Sequence, residues 1–449
     1  MGRLFGTDGA RGIANTELTC ELAMNIGRAA AMVLTDDAHK RPVVVIGKDT
    51  RVSCDMLESA LAAGLCSVGA DVHLLGVVPT PAVAYLVKKY KADAGVMISA
   101  SHNPCEFNGI KLFDNKGYKL PDALEEEMEA IILDKIKIPP VKTSGDVGCV
   151  HTSPRAVQDY INHISASIEN SLGGMKVALD CANGAASVTA KKLFETLGAE
   201  VLIINDQPDG VNINDGCGSM HPEKLAQFVK THRCNAGLAF DGDADRCLAI
   251  DEQGNLVDGD KMISICAKAL KEKNKLKDNM VVVTVMSNLG FFRFCEENGL
   301  NTAVTQVGDR YVLEKMLQEG YQIGGEQSGH IIFLDHATTG DGQLSGAKLL
   351  SIVKEKGERL SKLANEMERY PQVMVNVKIA TDKKEIYGDS SAIAAAIKEA
   401  EESLGGDGRV LVRISGTEPL IRVMVEGKQF DIINKLAVDI AEKIKKELA

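Results

Sequence analysis

No stretch of this chain stays apolar for long. Runs such as Val281–Val283 fall far short of the ~20 residues that a membrane-spanning helix needs. Met1–Gly6 holds no apolar signal core, and Gly6 stands where a myristoylation motif carries Ser or Thr. C-x-x-C pairs are missing, and the 11 cysteines are an odd number. Neither a disulfide framework nor a cysteine zinc site is therefore expected. Basic runs are missing too. Lys plus Arg number 51 against 62 for Asp plus Glu, a net charge of −11. That argues against a nucleic-acid surface but leaves room for local cations around a small anion. No serine sits in G-x-S-x-G, and Gly216-Cys217-Gly218 lacks the third glycine and the preceding strand of a dinucleotide fingerprint. Hydrolase and dehydrogenase readings both weaken. The expectation is a cytoplasmic protein with reduced thiols and neither nucleic acid nor membrane as partner.

What is present is the balance of a soluble globular chain, 45% hydrophobic and 25% charged over 449 residues, too long for one core. One pattern recurs: a β-branched run, a polar Gly-rich loop, then a helical period. Pro42–Ile46 leads into GKDTR, Ala94–Ile98 into SASHNP, and Met175–Leu179 into DCANG. Ala236–Phe240 leads into DGDADR, Val281–Met286 into SNLG, and Tyr321–Ile323 into GGEQSGH. Strands alternating with helices imply an α/β fold with mixed, mostly parallel sheets. Ligands of such sheets sit beyond the carboxyl ends of the strands. The C-terminal segment differs. Val373, Val375, Val377 and Ile379 alternate at the head of a β-α-β-β-α order, a smaller α+β unit. The composition divides the chain into 1–148, 149–252, 253–369 and 370–449.

Four loops carry the candidate chemistry. Asp241, Asp243 and Asp245 place three carboxylates within five residues, a repulsive arrangement unless a cation neutralises it. Hard oxygen ligands point to Mg²⁺ or Ca²⁺. An EF-hand is rejected, because its sixth position needs Gly and holds Arg246, and Cys247–Ile250 continue as a strand. Ser101, in the loop after Ala94–Ile98, reads by itself more often as a helix cap or turn residue than as a nucleophile, which needs a base or a charged partner. Glu326, Ser328 and His330 are spaced to meet sugar hydroxyls. Arg413, Ser415, Gly416, Thr417 and Arg422 combine guanidinium forks with a glycine-freed backbone, a set suited to phosphate.

Five segments in this order resemble the α-D-phosphohexomutase superfamily over the whole chain: FGTDGARG (Phe5–Gly12), ISASHNP (Ile98–Pro104), DGDADR (Asp241–Arg246), GEQSGH (Gly325–His330) and RISGTEPLIRV (Arg413–Val423). Gln327, VGDRYV (Val307–Val312) and TVMSNLG (Thr284–Gly290) resemble the branch that acts on glucosamine phosphate. Met220, where Thr is usual, and Lys48, where Arg is common, depart from it. The resemblance implies three similar α/β domains and a smaller α+β domain around a central active-site cleft. Ser101 would carry the phosphoryl group as phosphoserine. Asp241, Asp243 and Asp245 would hold one Mg²⁺ together with an oxygen on Ser101. Arg11 and Lys111 would line the catalytic face, with His330 or Lys111 moving protons. Glu326 and Ser328 would bind sugar hydroxyls, Arg246 would also meet substrate, and the Arg413–Arg422 loop would grip the distal phosphate.

The implied reaction interconverts glucosamine 6-phosphate and glucosamine 1-phosphate through a 1,6-bisphosphate and feeds UDP-N-acetylglucosamine synthesis. Glucose or glucosamine 1,6-bisphosphate would serve as activator. A homodimer is implied by the resemblance, though the chain carries no interface signature. The rival readings are a phosphomannomutase or phosphoglucomutase with the same machinery, a Mg²⁺-dependent sugar phosphatase, and a non-catalytic sugar-phosphate sensor.

Overall fold

The structure is a computed structural model that describes residues 3–6, 8–34, 41–137, 139–379, 390–414 and 420–448. It divides into two compact units, Met1–Met286 with Gly299–Glu366, and Ser287–Asn298 with Met367–Ala449. The first unit holds three sheets. The seven-stranded sheet runs in the order Phe5–Gly6, Gly9–Ile13, Phe107–Phe113, Ala94–Ile98, Val43–Lys48, Asp71–Val77, Val150–Thr152. The five-stranded sheet runs Leu256–Val257, Cys247–Asp251, Ala236–Phe240, Lys176–Asp180, Glu200–Ile204. The four-stranded sheet runs Asn301–Thr305, Met280–Thr284, Ile323–Gly325, Ile331–Phe333.

Each of these sheets is mixed, and the mixture has a functional pattern. Pairings such as Val43–Lys48 with Ala94–Ile98, and Lys176–Asp180 with Ala236–Phe240, are parallel. Antiparallel returns come after three of the polar loops: Ala94–Ile98 to Phe107–Phe113, Ala236–Phe240 to Cys247–Asp251, and Ile323–Gly325 to Ile331–Phe333. The expected strand–loop–helix order therefore fails at the serine and glutamate loops, which are strand–loop–strand hairpins; the aspartate loop is also a hairpin, its second arm Cys247–Asp251 being the strand expected there. Short connections can join only antiparallel neighbours, and both arms of each hairpin fix the loop between them.

The strands are built to be covered on both faces. All five residues of Ala94–Ile98 and all five of Ala236–Phe240 are buried, as expected for strands between helical layers. Helices Cys20–Val33 and Cys54–Ser67 cover the first sheet. They approach so closely that a Cβ on Gly27 would lie 2.6 Å from the Leu61 carbonyl oxygen, and one on Gly64 2.2 Å from that of Met24. The second unit is a three-stranded antiparallel sheet, Gln372–Lys378, Leu420–Gly427, Gly408–Ile414, with helices Ser391–Leu404 and Phe430–Glu447. Val377, Ile421, Val423, Ile433 and Ile440 form its core. All the cysteines are free thiols. Among the described residues no helix is long and apolar enough to cross a membrane.

One buried carboxylate gives the first unit a pH dependence. Asp341 caps helix Gly342–Lys356 by accepting from Leu344 N, and Tyr160 Oη donates to its Oδ1 at 2.9 Å. Burial pushes its carboxyl up to about 6. The native state therefore holds this proton more tightly than the unfolded chain, and its contribution to stability is lost as pH rises from about 4 to about 6. Asp341→Asn keeps an oxygen acceptor and a good cap. It is expected to stabilise the protein by roughly 2 kcal/mol at pH 7.5, with the gain shrinking toward pH 4, as read by thermal melts across pH.

Candidate active site

The three hairpin loops of the first unit meet. Ser101 lies in the left-handed region (φ 52°) and is buried. Its hydroxyl donates to Asp241 Oδ2 at 2.7 Å, and its N–H donates to Ser99 Oγ at 2.9 Å. A strained backbone angle of this kind persists only where the surroundings over-determine it, and here they do. Arg51 donates to the carbonyls of Ser101 (3.0 Å), Asn103 (2.8 Å) and Phe107 (3.0 Å), and also to that of Pro104. Asn214 Nδ2 donates to the Ser101 carbonyl at 2.9 Å. Arg51 is itself paired with fully buried Asp49 at 2.9 Å, and Asp49 accepts from Ser99 Oγ at 2.6 Å. Gly242 lets the aspartate loop lie against this one. A Cβ there would stand 2.5 Å from the Ser101 carbonyl oxygen and 2.8 Å from Asn214 Nδ2.

Asp241, Asp243 and Asp245 are buried, and each offers an oxygen within 4.8 Å of the others'. Burial, reinforced by Asp245 and Asp243, raises the Asp241 carboxyl well above the usual range. Thr80 Oγ1 donates to Asp243 Oδ2 at 2.6 Å, and Lys111 Nζ reaches the same oxygen at 2.8 Å. Asp243 Oδ1 and Asp245 Oδ1 are buried without a hydrogen-bond partner. Orphaned buried carboxylate oxygens are costly. Two of them converging beside a serine hydroxyl make an all-oxygen set that fits a hard divalent cation.

The surrounding charges form a chain. Burial alone would lower the Lys111 ammonium, but Asp243, Asp8 and Asp245 outweigh it and hold it well above the usual lysine range. Asp8 Oδ2 accepts from Lys111 at 2.9 Å and from Arg11 at 2.7 Å, and its Oδ1 accepts from Lys119 at 2.6 Å. Lys119 also bonds Asp309 Oδ2 at 2.5 Å, which lies 3.6 Å from His330 Nε2. Arg246 pairs with Asp245 at 4.0 Å and faces His102 Nδ1 at 3.3 Å. Burial, assisted by Arg246 and Arg11, pushes the His102 imidazole down to about 4, so it accepts that contact as a neutral ring.

These groups open on a cavity of about 400 Å³ lined by Asp8, Arg11, His102, Asp245, Arg246 and Glu326, together with Ser328, Asp309 and His330. The glutamate loop is stitched to the aspartate loop by Cys247 N to Gly329 O (3.0 Å) and by a bridge between Arg246 and His330. Neither ring nitrogen of His330 has a hydrogen bond. The structure thus brings together Ser101, Asp241, Asp243, Asp245, Lys111, Arg11, Arg246, Glu326, Ser328 and His330. Arg413 and Arg422 belong to the second unit, where they are cross-strand partners; Ser415, Gly416 and Thr417 lie outside the described residues. Sequence reasoning missed Asp8, Asp49, Arg51, Thr80, Lys119 and Asp309. Asp8 lies inside FGTDGARG and Asp309 inside VGDRYV, whereas Lys119 has no local signal.

Models of the phosphoglucomutase/phosphomannomutase family match four consecutive parts: alpha/beta/alpha domain I over residues 2–138, domain II over 158–254, domain III over 258–370, and the C-terminal domain over 374–443. The chain is 58% identical over 447 residues to a phosphoglucosamine mutase of Clostridium acetobutylicum, covering 100% of both chains. It is 56% identical over 447 residues to one of Clostridium novyi, covering 100% of this chain and 99% of that one. Among solved structures it resembles a phosphoglucomutase/phosphomannomutase family protein of Burkholderia thailandensis (TM-score 0.81, 24% identity, 99% of this chain and 97% of that one). It also resembles the N-acetylphosphoglucosamine mutase of Aspergillus fumigatus in complex with GlcNAc-6P and magnesium (TM-score 0.67, 17% identity, 99% and 96%). The chain belongs to the phosphoglucomutase/phosphomannomutase family.

Gly242→Ala is expected to force the serine and aspartate loops apart. It should cost about 1–3 kcal/mol by denaturant unfolding and weaken divalent-cation binding, as read by calorimetric titration.

Proposed function

We propose that the chain interconverts glucosamine 6-phosphate and glucosamine 1-phosphate through a phosphorylated Ser101. The observation that carries this reading is the Ser101 hydroxyl bonded at 2.7 Å to Asp241, inside a buried carboxylate triad with two orphaned oxygens. A regulatory or binding site needs neither the alcohol nor the triad. The names of the Clostridium relatives support the amino sugar as substrate.

In the forward direction the bond between phosphorus and the Ser101 oxygen breaks while phosphorus bonds to O1 of the sugar. The O1 proton leaves to a base, and the serine oxygen takes one up. The 1,6-bisphosphate then turns around, the bond between phosphorus and O6 breaks while phosphorus bonds to the Ser101 oxygen, the serine gives up its proton, and O6 takes one up. Transfer of this kind needs charge neutralisation and in-line placement. Mg²⁺ held by Asp241, Asp243 and Asp245 with an oxygen on Ser101 would supply the divalent charge at the phosphoryl oxygens. Lys111, bonded to Asp243 at 2.8 Å and to Asp8 at 2.9 Å, supplies positive charge beside the triad. His330, with both ring nitrogens unpartnered and its ring at the cavity wall, is the proton carrier. Glu326 and Ser328 hold sugar hydroxyls, and Arg246 and Arg11 meet phosphate oxygens. Arg413 and Arg422, like charges paired across two strands, together with Ser415, Gly416 and Thr417, take the distal phosphate. A sugar 1,6-bisphosphate primes Ser101, and the enzyme works in the cytoplasm as a homodimer.

Ser101→Ala is expected to lose mutase turnover by about a thousandfold or more while its melting temperature holds, and intact mass should show one phosphate on the parent alone. Parent-like turnover in the variant would overturn the nucleophile. Asp243→Asn is expected to weaken Mg²⁺ binding by about tenfold or more and to lower kcat more than it raises KM. Release of inorganic phosphate in place of glucosamine 1-phosphate would favour the phosphatase instead.

A further inference from the structure

The cavity wall that carries Glu326 holds a second carboxylate. Asp309 begins helix Asp309–Glu319, and the residue before it, Gly308 (φ 135°), donates its N–H to Glu326 Oε1 at 3.2 Å. The two acidic loops are thereby tied together at the sugar end of the cavity. Asp309 Oδ2 is engaged by Lys119. Its Oδ1 has no hydrogen bond among the described residues, and the side chain keeps 17% of its surface open. Lys119 is shared, because its ammonium also serves Asp8. The ammonium nearest Asp309 is thus divided between two carboxylates, His330 Nε2 stands 3.6 Å from the same Oδ2 that Lys119 holds, and the two arginines of the cavity pair elsewhere, Arg11 with Asp8 and Arg246 with Asp245.

Sugar hydroxyls are neutral, and one carboxylate such as Glu326 can accept from two of them. A second carboxylate with an open oxygen on the same wall gains only a neutral hydrogen bond from a hexose hydroxyl. An ammonium on the sugar ring reverses that sign, since a charge-assisted hydrogen bond to carboxylate is about twice as strong as a neutral one. We propose that Asp309 is a specificity-determining residue, its Oδ1 accepting from the C2 ammonium of the aminohexose phosphate. The inference rests on the reading of the substrate as glucosamine phosphate.

The test compares kcat/KM for glucosamine 6-phosphate and glucose 6-phosphate in the parent, in Asp309→Asn and in Asp309→Glu. In Asp309→Asn, the ratio of kcat/KM for glucosamine 6-phosphate to that for glucose 6-phosphate should fall by about tenfold or more, whatever loss the two sugars share through the neighbouring Lys119 and His330. Asp309→Glu, which keeps the charge, should recover part of the preference. An equal loss on both sugars in Asp309→Asn would overturn the proposal, since it marks Asp309 as a prop for Lys119 only. A parent without preference for the amino sugar would instead sink the substrate reading on which the proposal stands. A thermal melt of each variant reports whether it is folded.

Discussion

A lysine ammonium surrounded by carboxylates in a nearly dry pocket is the interaction on which this site depends. Lys111 is 1% exposed and contacts Asp243, Asp8 and Asp245. Taking one side away from such a cluster leaves uncompensated charge where water cannot reach, which costs several kcal/mol. The sheet supplies what holds it. Lys111 projects from Phe107–Phe113, which is paired with Ala94–Ile98 on one side and Gly9–Ile13 on the other. Asp243 and Asp245 arrive on a loop of the second sheet. Lys111 thus holds one oxygen of Asp243 and of Asp245, while the other oxygen of each is left without a hydrogen bond.

Much of this is legible in the sequence because the informative residues are close together in it. Three aspartates in five residues, a serine in a polar loop after an all-buried strand, and Glu326 with Ser328 and His330 each report a local chemistry. Ala94–Ile98 and Ala236–Phe240 are strands over the very residues their apolar runs suggest. The elements after those loops are harder to read. A glycine-rich loop after a strand looks like the start of a helix, yet at Phe107–Phe113 and Ile331–Phe333 the chain folds back as a strand. Fully buried strands and helix cores share an apolar composition, and periodicity does not separate them over so few residues.

The site residues without a sequence signal share another property, since each acts over a long sequence distance. Lys119 lies 190 positions from Asp309, and Thr80 lies 163 from Asp243. Nothing near Lys119 predicts that an ammonium there is shared by two carboxylates from distant parts of the chain. Arg51 is similar. A lone basic residue after a strand looks like surface, and only the fold shows its guanidinium buried beneath the serine loop.

That guanidinium has a consequence for the phosphorylated form. Arg51 and Asn214 hold the carbonyl oxygens of Ser101, Asn103, Pro104 and Phe107, which restrains the main chain of the serine loop. A phosphoryl group on Ser101 must find its volume on the opposite side, by displacing the hydroxyl's hydrogen bond to Asp241. Gaining the phosphate would therefore rearrange carboxylate rotamers while the polypeptide trace stays put. The two covalent states of the enzyme would then present the sugar with one unchanged scaffold and two different charge distributions.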